Sequence, residues 1–433
     1  MSILNNSLLL GAPAGATTYQ VSRSLRFNSP DSASLSRVFS VAGNRKTWTW
    51  AGWIKRSRFG NFEHIFNGSG GGSPSYTQFY WSTDETLVFD GGNGVGGAAG
   101  SFKTTQVFRD PSAWYHILLS YDSTQSTSTD RIKIWVNGQQ ITTFSSSSYP
   151  SQNADGGINQ AGTHLIGKEN VSYSGFYVAD VFFLDGIAAD PSSFTTTDPT
   201  TGQLIPKAYS GSGYGTNGFH LPFSDNSATT ATTLGKDTSG NGNNWSCNNF
   251  SVTAGAGNDS LVDTPTSYGM DTGAGGEVRG NYCTWNPLIS TSGPISNGNL
   301  EMVGANAWRN TKGTISVSTG KWYFEATYTG SQYGSALGNL AAGVGFCKSN
   351  TTTPNADVND SSLYGSILAF SQTGHVNNFN APSSARSQIA SGDVIGFALN
   401  YDAGTYTIYV NNTSTSSGSL NFTGELTPWT NAY

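Results

Sequence analysis

The sequence predicts an all-β protein: two jelly-roll β-sandwiches joined by an irregular Gly/Asn/Thr-rich connector. Three observations predict this. No stretch of a dozen residues places apolar side chains three and four apart in a helix-forming composition. Short aromatic and β-branched runs bounded by Gly, Asn, Asp and Ser recur along the chain. Two segments also share one layout, "WYHILLSYDSTQSTSTDRIKIWVNG" (114–138) and "GDVIGFALNYDAGTYTIYVNN" (392–412). Each has an apolar strand, then Tyr-Asp, a turn, an alternating aromatic strand and a closing Val-Asn. Two sandwiches of related design explain the echo most simply.

In chain order, residues 1–22 are apolar and then Gly/Ala/Pro-rich, as expected of an arm that orders only against a partner. Residues 23–194 carry the strands of the first sandwich: "SLRFNSPDSASLSRVF", "TWTWAGWIKR", "TQFYWST", "TLVFDGG", "WYHILLSYD", "RIKIWVNGQQI" and "YVADVFFLDGIA". Residues 195–299 are rich in Pro, Gly, Thr and Asn. They also contain Phe219, Phe223, Trp245, Phe250, Tyr282 and Trp285, which need burial, so this connector is expected to pack on its neighbours. Residues 300–433 carry "KWYFEATYTG", "AAGVGFCKSN", "SILAFSQTG" and the 392–412 hairpin of the second sandwich. In that hairpin Asp402-Ala403-Gly404 supplies the turn between two alternating strands.

Composition narrows the function classes. At 433 residues the chain has length for several cores. Charged residues make up 11%, against about 25% in an ordinary soluble protein. Gly occurs 54 times, and aromatic residues make up 12%. A polar, uncharged surface with Trp and Tyr among it suits an extracellular all-β protein. The net charge of −6 and scattered cations argue against nucleic-acid binding. Only Arg45-Lys46 and Lys55-Arg56-Ser57-Arg58 are locally dense, and the latter reads as a solvated strand edge. No apolar run reaches the length of a membrane span, so insertion in a membrane is not expected. The start has a short apolar core, Leu8–Leu10, with no basic segment before it, so no secretion signal is read there. Cys247, Cys283 and Cys347 give neither a disulfide framework nor a zinc spacing. Free buried thiols are expected over a Cys247–Cys283 bridge.

Little catalytic chemistry is legible. A glycosidase on a sandwich needs an acid and a nucleophile about 5 Å apart. The seven glutamates include no two on one predicted strand, and Glu325 is the best single candidate. Gly92-x-Gly94-x-x-Gly97 matches a dinucleotide fingerprint, but a strand follows it, so no helix N-terminus would hold a pyrophosphate. The five histidines are isolated, and no Gly-x-Ser-x-Gly elbow marks a Ser–His–Asp triad. The chain is expected not to be an enzyme. Calcium is the one cofactor to weigh: Asp237, Ser239, Asn241 and Gly242 follow an EF-hand-like spacing without its closing Glu, and a plain Asx-rich turn competes. Glycan binding needs an aromatic platform and planar polar side chains. Tyr173, Tyr214, Trp245 and Trp81 are the candidates, with Trp285 and Trp308 behind them, because they lie in or beside Asn/Ser/Gly-rich loops.

Residues 23–194 resemble the concanavalin A-like, laminin-G-like sandwich through "LRFNSPDSASLS", "TWTWAGWIKR", "AWYHILLSYD", "IKIWVNGQQI" and "YVADVFFLDGIAADPSSF". Residues 300–433 resemble a SPRY domain through "GKWYFEATYTG", "AAGVGF" and the 392–412 hairpin. With "DTSGNGNNW" and "DTPTSYG" between them, the pairing looks like tail-fibre or other host-facing structural proteins of bacteriophages. That resemblance implies a virion protein made in the host cytoplasm. Residues 1–22 would dock on other virion proteins, the chain would form a homo-oligomer, best read as a trimer, and its loops would meet a host glycan or protein. It also implies calcium at a rim of loops, with Asp31, Asp90, Asp155 and Asp185 as candidate ligands beside Asp237 and Asn241. Competing readings are a secreted bacterial adhesin or lectin, a glycan-degrading enzyme, and a protein-binding SPRY module. SPRY domains close with one further strand that "ELTPWTNAY" does not match, so the natural chain is expected to continue past Tyr433.

Overall fold

The computed structural model describes residues 19–69, 77–92, 100–199, 201–266, 278–289, 295–304, 309–330, 343–351, 367–371, 376–379, 381–382 and 389–432. Strands and three short 3-10 turns are its regular elements, and no α-helix occurs among the described residues. The chain divides into two compact units, Ala12–Asn281 and Tyr282–Tyr433. Most of the expected N-terminal arm, through residue 18, lies outside the described residues. Val21, in its last part, is buried beside Trp53 and Trp114.

The first unit is a sandwich of two eight-stranded sheets. One sheet runs, in spatial order, Gln139–Gln140, Ile132–Val136, Trp114–Asp122, Thr47–Arg56, Phe176–Asp185, Ser24–Phe27 and Ser260–Leu261, with Phe219–Leu221 also paired to Phe176–Asp185. The other runs Phe144–Ser148, Ser101–Val107, Thr86–Asp90, Thr77–Trp81, Glu63–Ser69, Gly162–Ile166, Ser34–Phe39 and Ser246–Asn248. Neighbouring strands in both are antiparallel. The core between them is aromatic: Trp48, Trp50, Phe66, Phe79, Trp81, Phe183 and Trp245 interdigitate there. A buried ring removes about 200 Å² from water, worth on the order of 5 kcal/mol before entropy is counted. That gain offsets the indole N–H groups of Trp48, Trp50, Trp81 and Trp245, which find no acceptor.

Antiparallel sandwiches usually wet one face of each sheet. Here the first sheet is buried on both faces: all ten residues of Phe176–Asp185 are buried. Strand alternation explains where each side chain goes. Trp48, Trp50 and Ile54 enter the inter-sheet core. Ala51, Trp53 and Lys55 have the opposite parity and point away from it. The outer face is covered by the segments that follow Asp185. Ile187, Phe194, Tyr209 and Tyr214 pack with Ala51, Leu118 and Phe182. Leu204 and Leu261 pack with Trp53, Trp114 and Tyr177. Residues 195–281, read from the sequence as connector, thus supply three short strands to the sandwich sheets and a covering layer.

Two buried ion pairs fasten this layer, and two more tie strands of the sandwich itself. Arg26 Nε lies 3.0 Å from Asp259 Oδ1, and Lys55 Nζ lies 2.8 Å from Asp263 Oδ2. Arg56 Nη1 lies 2.6 Å from Glu85 Oε2, and Arg58 Nε lies 2.5 Å from Glu63 Oε1. The reading of Lys55 and Arg56 as a solvated edge is therefore corrected: both are almost fully buried. Lys55 and Arg56 can be internal because Asp263 and Glu85 meet their charges there.

The second unit pairs a six-stranded sheet with a four-stranded one. The six-stranded sheet runs Arg309–Lys312, Leu426–Ala432, Gly343–Lys348, Ile367–Ser371, Val376–Asn378 and Ala381–Pro382. The four-stranded sheet runs Lys321–Thr327, Val394–Asn400, Thr405–Val410 and Thr413–Ser419. The predicted hairpin is present, with Phe397 opposite Ile408. Gly404 takes φ 63° at its turn, a left-handed conformation glycine adopts without strain. Phe324, Phe346, Phe397, Leu399 and Ile408 fill the core. The last segment, Leu426–Ala432, is itself a strand, paired on one side with Arg309–Lys312 and on the other with Gly343–Lys348. The strand holds Pro428, although proline seldom sits in a central strand.

All three cysteines carry free thiols; Cys283 and Cys347 are buried and Cys247 is half-buried.

Candidate functional site

On the outer face of the first sheet, Trp53 and Trp114 stand on adjacent strands whose register pairs Lys55 with Trp114. Both rings are largely buried, and they form part of the wall of a cavity of about 320 Å³. Asn137, Gln203, Leu204, Pro265 and Asn281 complete most of the lining. Apolar ring surface and planar amides therefore meet in one recess, a volume suited to a single small ligand ring.

The walls are fixed by hydrogen bonds. Trp114 Nε1 donates to Asp263 Oδ1 at 2.9 Å, which sets the indole plane. Asp263 Oδ2 takes Lys55 Nζ, and the same ammonium donates to Asn281 Oδ1 at 2.9 Å. Asn281 Nδ2 donates to the Ser112 carbonyl at 2.7 Å. Asn137, at φ 50°, turns the chain after Ile132–Val136, and its side-chain oxygen accepts the His116 N–H at 2.8 Å. Asparagine tolerates that left-handed backbone. Gln203 is exposed at the mouth, just before the short strand Leu204–Pro206. The cavity thus has an aromatic wall, two amides held by hydrogen bonds, Asn137 and Asn281, and a third amide, Gln203.

None of the four aromatic candidates read from the sequence lines this cavity. Trp81 and Trp245 have no exposed surface. Trp81 lies under the Arg56 guanidinium, 4.8 Å from its ring, and Trp245 packs 5.0 Å from Phe219. Neither can present a face to a sugar, so both are core residues, because their flanking polar segments fold over the sandwich. Tyr173 is half-buried in a two-stranded hairpin, with Lys168 Nζ 4.7 Å from its ring centroid. Tyr214 is half-buried against Tyr209 at 5.1 Å, and burial pushes its phenol pKa up. Trp285 is buried in the second unit, and Trp308 lies outside the described residues.

Four of the calcium candidates, Asp237, Asn241, Asp31 and Asp185, make hydrogen bonds within the fold. Asp237 Oδ1 accepts from the His220 and Ser239 N–H groups, and Oδ2 accepts from Ser239 Oγ and the Asn243 N–H. Its lone pairs are taken by donors, the pattern of an Asx turn. Asn241 Nδ2 donates to the carbonyls of Gly215 and Gly218. Asp31 accepts from Asn28 in a separate turn. Asp185 accepts from the Asn44 and Asn217 N–H groups and from Asn159 Nδ2. Among the described residues no group of three or more His, Cys, Asp or Glu side chains is placed to hold a metal. Glu325 accepts from Tyr323 at 2.6 Å on the strand Lys321–Thr327. The dinucleotide-like glycines beyond Gly92, and His375, lie outside the described residues.

One signal for the cleft was present in the sequence. In "TWTWAGWIKR", Trp48 and Trp50 share a parity that Trp53 breaks, which puts one tryptophan on the opposite face. Gln203 and Asn281 had no local signal, because they reach the cavity from the covering layer.

Residues 28–186 match the Laminin_G_3 family model, described as the concanavalin A-like lectin/glucanases superfamily. No curated protein sequence matches the chain. Among solved structures, the heptameric SAP-like pentraxin of Limulus polyphemus is similar at 15% identity, covering 40% of this chain and 80% of that one, with a TM-score of 0.30. The SPRY domain of human HERC1 is similar at 16% identity, covering 34% and 89%, with a TM-score of 0.28. Domains LG4-5 of the mouse laminin alpha1 chain are similar at 11% identity, covering 96% and 85%, with a TM-score of 0.32. The family match and the two facing antiparallel sheets agree on the fold: residues 28–186 are similar to the concanavalin A-like superfamily and lie in a β-sandwich.

Proposed function

We propose that this chain is a glycan-binding structural protein, displayed on a bacteriophage particle as a tail fibre or similar appendage and used for attachment to the host surface. The observation that carries the binding part is the recess of Trp53 and Trp114 with the amides of Asn137 and Gln203. An indole face stacks on the C–H face of a pyranose, and planar amides satisfy its hydroxyls. The superfamily description that residues 28–186 match names lectins, which supports the same ligand class. The neutral lining favours an uncharged sugar. The virion part rests on the resemblance of the paired sandwiches to host-facing phage proteins and on the sparse surface charge. In that role the chain acts by binding a glycan, not by cleaving it. Its N-terminal arm docks to the particle, and trimeric copies convert weak single-site binding into firm attachment.

The test is a titration of tryptophan fluorescence with neutral mono- and oligosaccharides, run beside a glycan array. Gln203→Trp, at an exposed position, should plug the mouth and abolish the response without unfolding the domain. A sugar response that survives Gln203→Trp would move the binding site elsewhere. For the virion part, antibody against residues 300–433 should label projecting appendages of particles. Label on cell surfaces or in medium alone would favour an adhesin.

A further inference from the structure

The strongest unexplained chemistry lies outside the cleft, where three distant segments bring Thr238, His220 and Asp180 into one hydrogen-bonded line. His220 Nε2 lies 2.7 Å from Asp180 Oδ1, and Thr238 Oγ1 lies 2.8 Å from His220 Nδ1. A carboxylate only accepts, so it holds the imidazole proton on Nε2 and leaves Nδ1 as the acceptor for the Thr238 hydroxyl. The ring is kept in plane by Phe182, stacked on it at 4.2 Å and 5°. Asp180 sits at φ 54° inside the Phe176–Asp185 strand, with its side chain 2% exposed. Its Oδ2 is buried without a partner. Thr238 is exposed. Two residues on, Gly240 takes φ 94° with open space where a side chain would stand, and its N–H has no partner among the described residues.

We propose that Thr238, His220 and Asp180 form a nucleophile–base–carboxylate triad that hydrolyses small-acyl carboxylic esters. The inference goes beyond the binding reading, does not rest on it, and departs from the expectation of a chain without catalysis. Thr238 Oγ1 attacks the ester carbon while its proton moves to His220 Nδ1. The ester C–O bond breaks, and the alcohol leaves with that proton. Water then attacks the acyl-threonine, giving its proton to Nδ1, and the acid departs as Thr238 recovers its hydroxyl proton. The balance is ester plus water giving acid plus alcohol. Thr238 and His220 are the catalytic residues, and Asp180 is a positioning residue acting through His220. The Gly240 N–H is the donor for the developing oxyanion. The exposed nucleophile selects esters, whose alcohols leave readily, and acyl groups small enough to need no enclosing pocket.

Three further groups bear on His220. Tyr19 donates its hydroxyl to Asp180 Oδ1 at 2.6 Å and lies 3.4 Å from Nε2. Asp237 accepts the His220 backbone N–H. The Tyr214 phenol feels both Asp180 and Asp237.

The test incubates the full chain with p-nitrophenyl acetate, following p-nitrophenol release and locating any acetyl group by peptide mass spectrometry. The expected result is acetylation at Thr238. Thr238→Val, at an exposed site that leaves the core untouched, should lower the rate about 100-fold or more, and Thr238→Ser should restore it. Asp180→Asn keeps a residue that tolerates the left-handed backbone. It should lower kcat with KM unchanged, because Nε2 loses the carboxylate that fixes the tautomer, a split that a purely structural role would not produce. Thr238→Val hydrolysing at the wild-type rate would overturn the proposal, as would acetyl groups found only on lysines.

Discussion

Lys55 Nζ lies 2.8 Å from Asp263 Oδ2, and both side chains are almost sealed from water. The lysine comes from the middle of the first sheet and the aspartate from the covering layer more than 200 residues away. Asp263 also accepts from Trp114 Nε1. One ion pair therefore fastens the layer and sets a wall of the cleft. Asp263→Ala should destabilise the first unit by about 3–5 kcal/mol, because it strands a buried ammonium. Lys55→Met combined with Asp263→Ala should recover part of the loss. Urea unfolding of the three variants measures this, and a double variant worse than either single change would contradict the account.

Three buried histidines make the first unit sensitive to acid. Burial lowers the pKa of His64 and of His164 from 6.5 to about 4, and of His116 to about 3. The neutral form is visible at His164, where Nε2 accepts the Asn159 N–H at 3.1 Å, leaving Nδ1 to donate to the Gly162 carbonyl. Between the folded and unfolded values the unfolded chain binds more protons, so folding stability falls as pH drops. The loss should begin near pH 6.5 and run to about pH 4, at about 1.4 kcal/mol per pH unit for each histidine. Denaturation midpoints across that range check it. A flat profile would mean that the histidines are protonated in the folded protein.

Much of the fold was legible because strand physics is local. The 392–412 hairpin declares itself by alternation on both sides of an Asp-Ala-Gly turn, and it forms, with Leu399 opposite Tyr406. Leu426–Ala432 was not legible, because "ELTPWTNAY" does not match the closing strand of a SPRY domain and its partner strands lie far away in the sequence. The cleft was less legible for a different reason. Trp81 and Trp245 lie beside polar, glycine-rich residues, a local sign of exposure, but tertiary packing buries both completely. Trp53 sits in an apolar strand, a local sign of core, and it lines the cavity. Burial in a three-layered unit depends on what covers the outer face of a sheet, and here the cover arrives from residues 187–281. No window around Trp53 contains that information.

The thiols should be inert while the protein is folded. Burial pushes the Cys247 and Cys347 pKa values up to about 12, so almost no thiolate exists near neutral pH. Titration with a disulfide reagent should be slow in native buffer and should yield three thiols after denaturation, without prior reduction. Fast native reaction at Cys247 would show that its cover opens readily.

The second unit has a sharper point of failure at Gly345. This residue lies in the strand Gly343–Lys348, opposite Ala369 on one side and Trp429 on the other. A Cβ added there would stand 2.0 Å from the Leu368 carbonyl oxygen and 2.7 Å from the Ala369 Cα. Both obstacles are backbone of a paired strand, so no rotamer change relieves the clash. Gly345→Ala must spread the Gly343–Lys348 and Ile367–Ser371 strands or break their ladder, a cost in the upper range of single substitutions, about 3 kcal/mol or more. The damage should stay local, because the first unit has its own core. Calorimetry should show one transition displaced to lower temperature and another unchanged. A single transition that moves as a whole would mean that the two units unfold together.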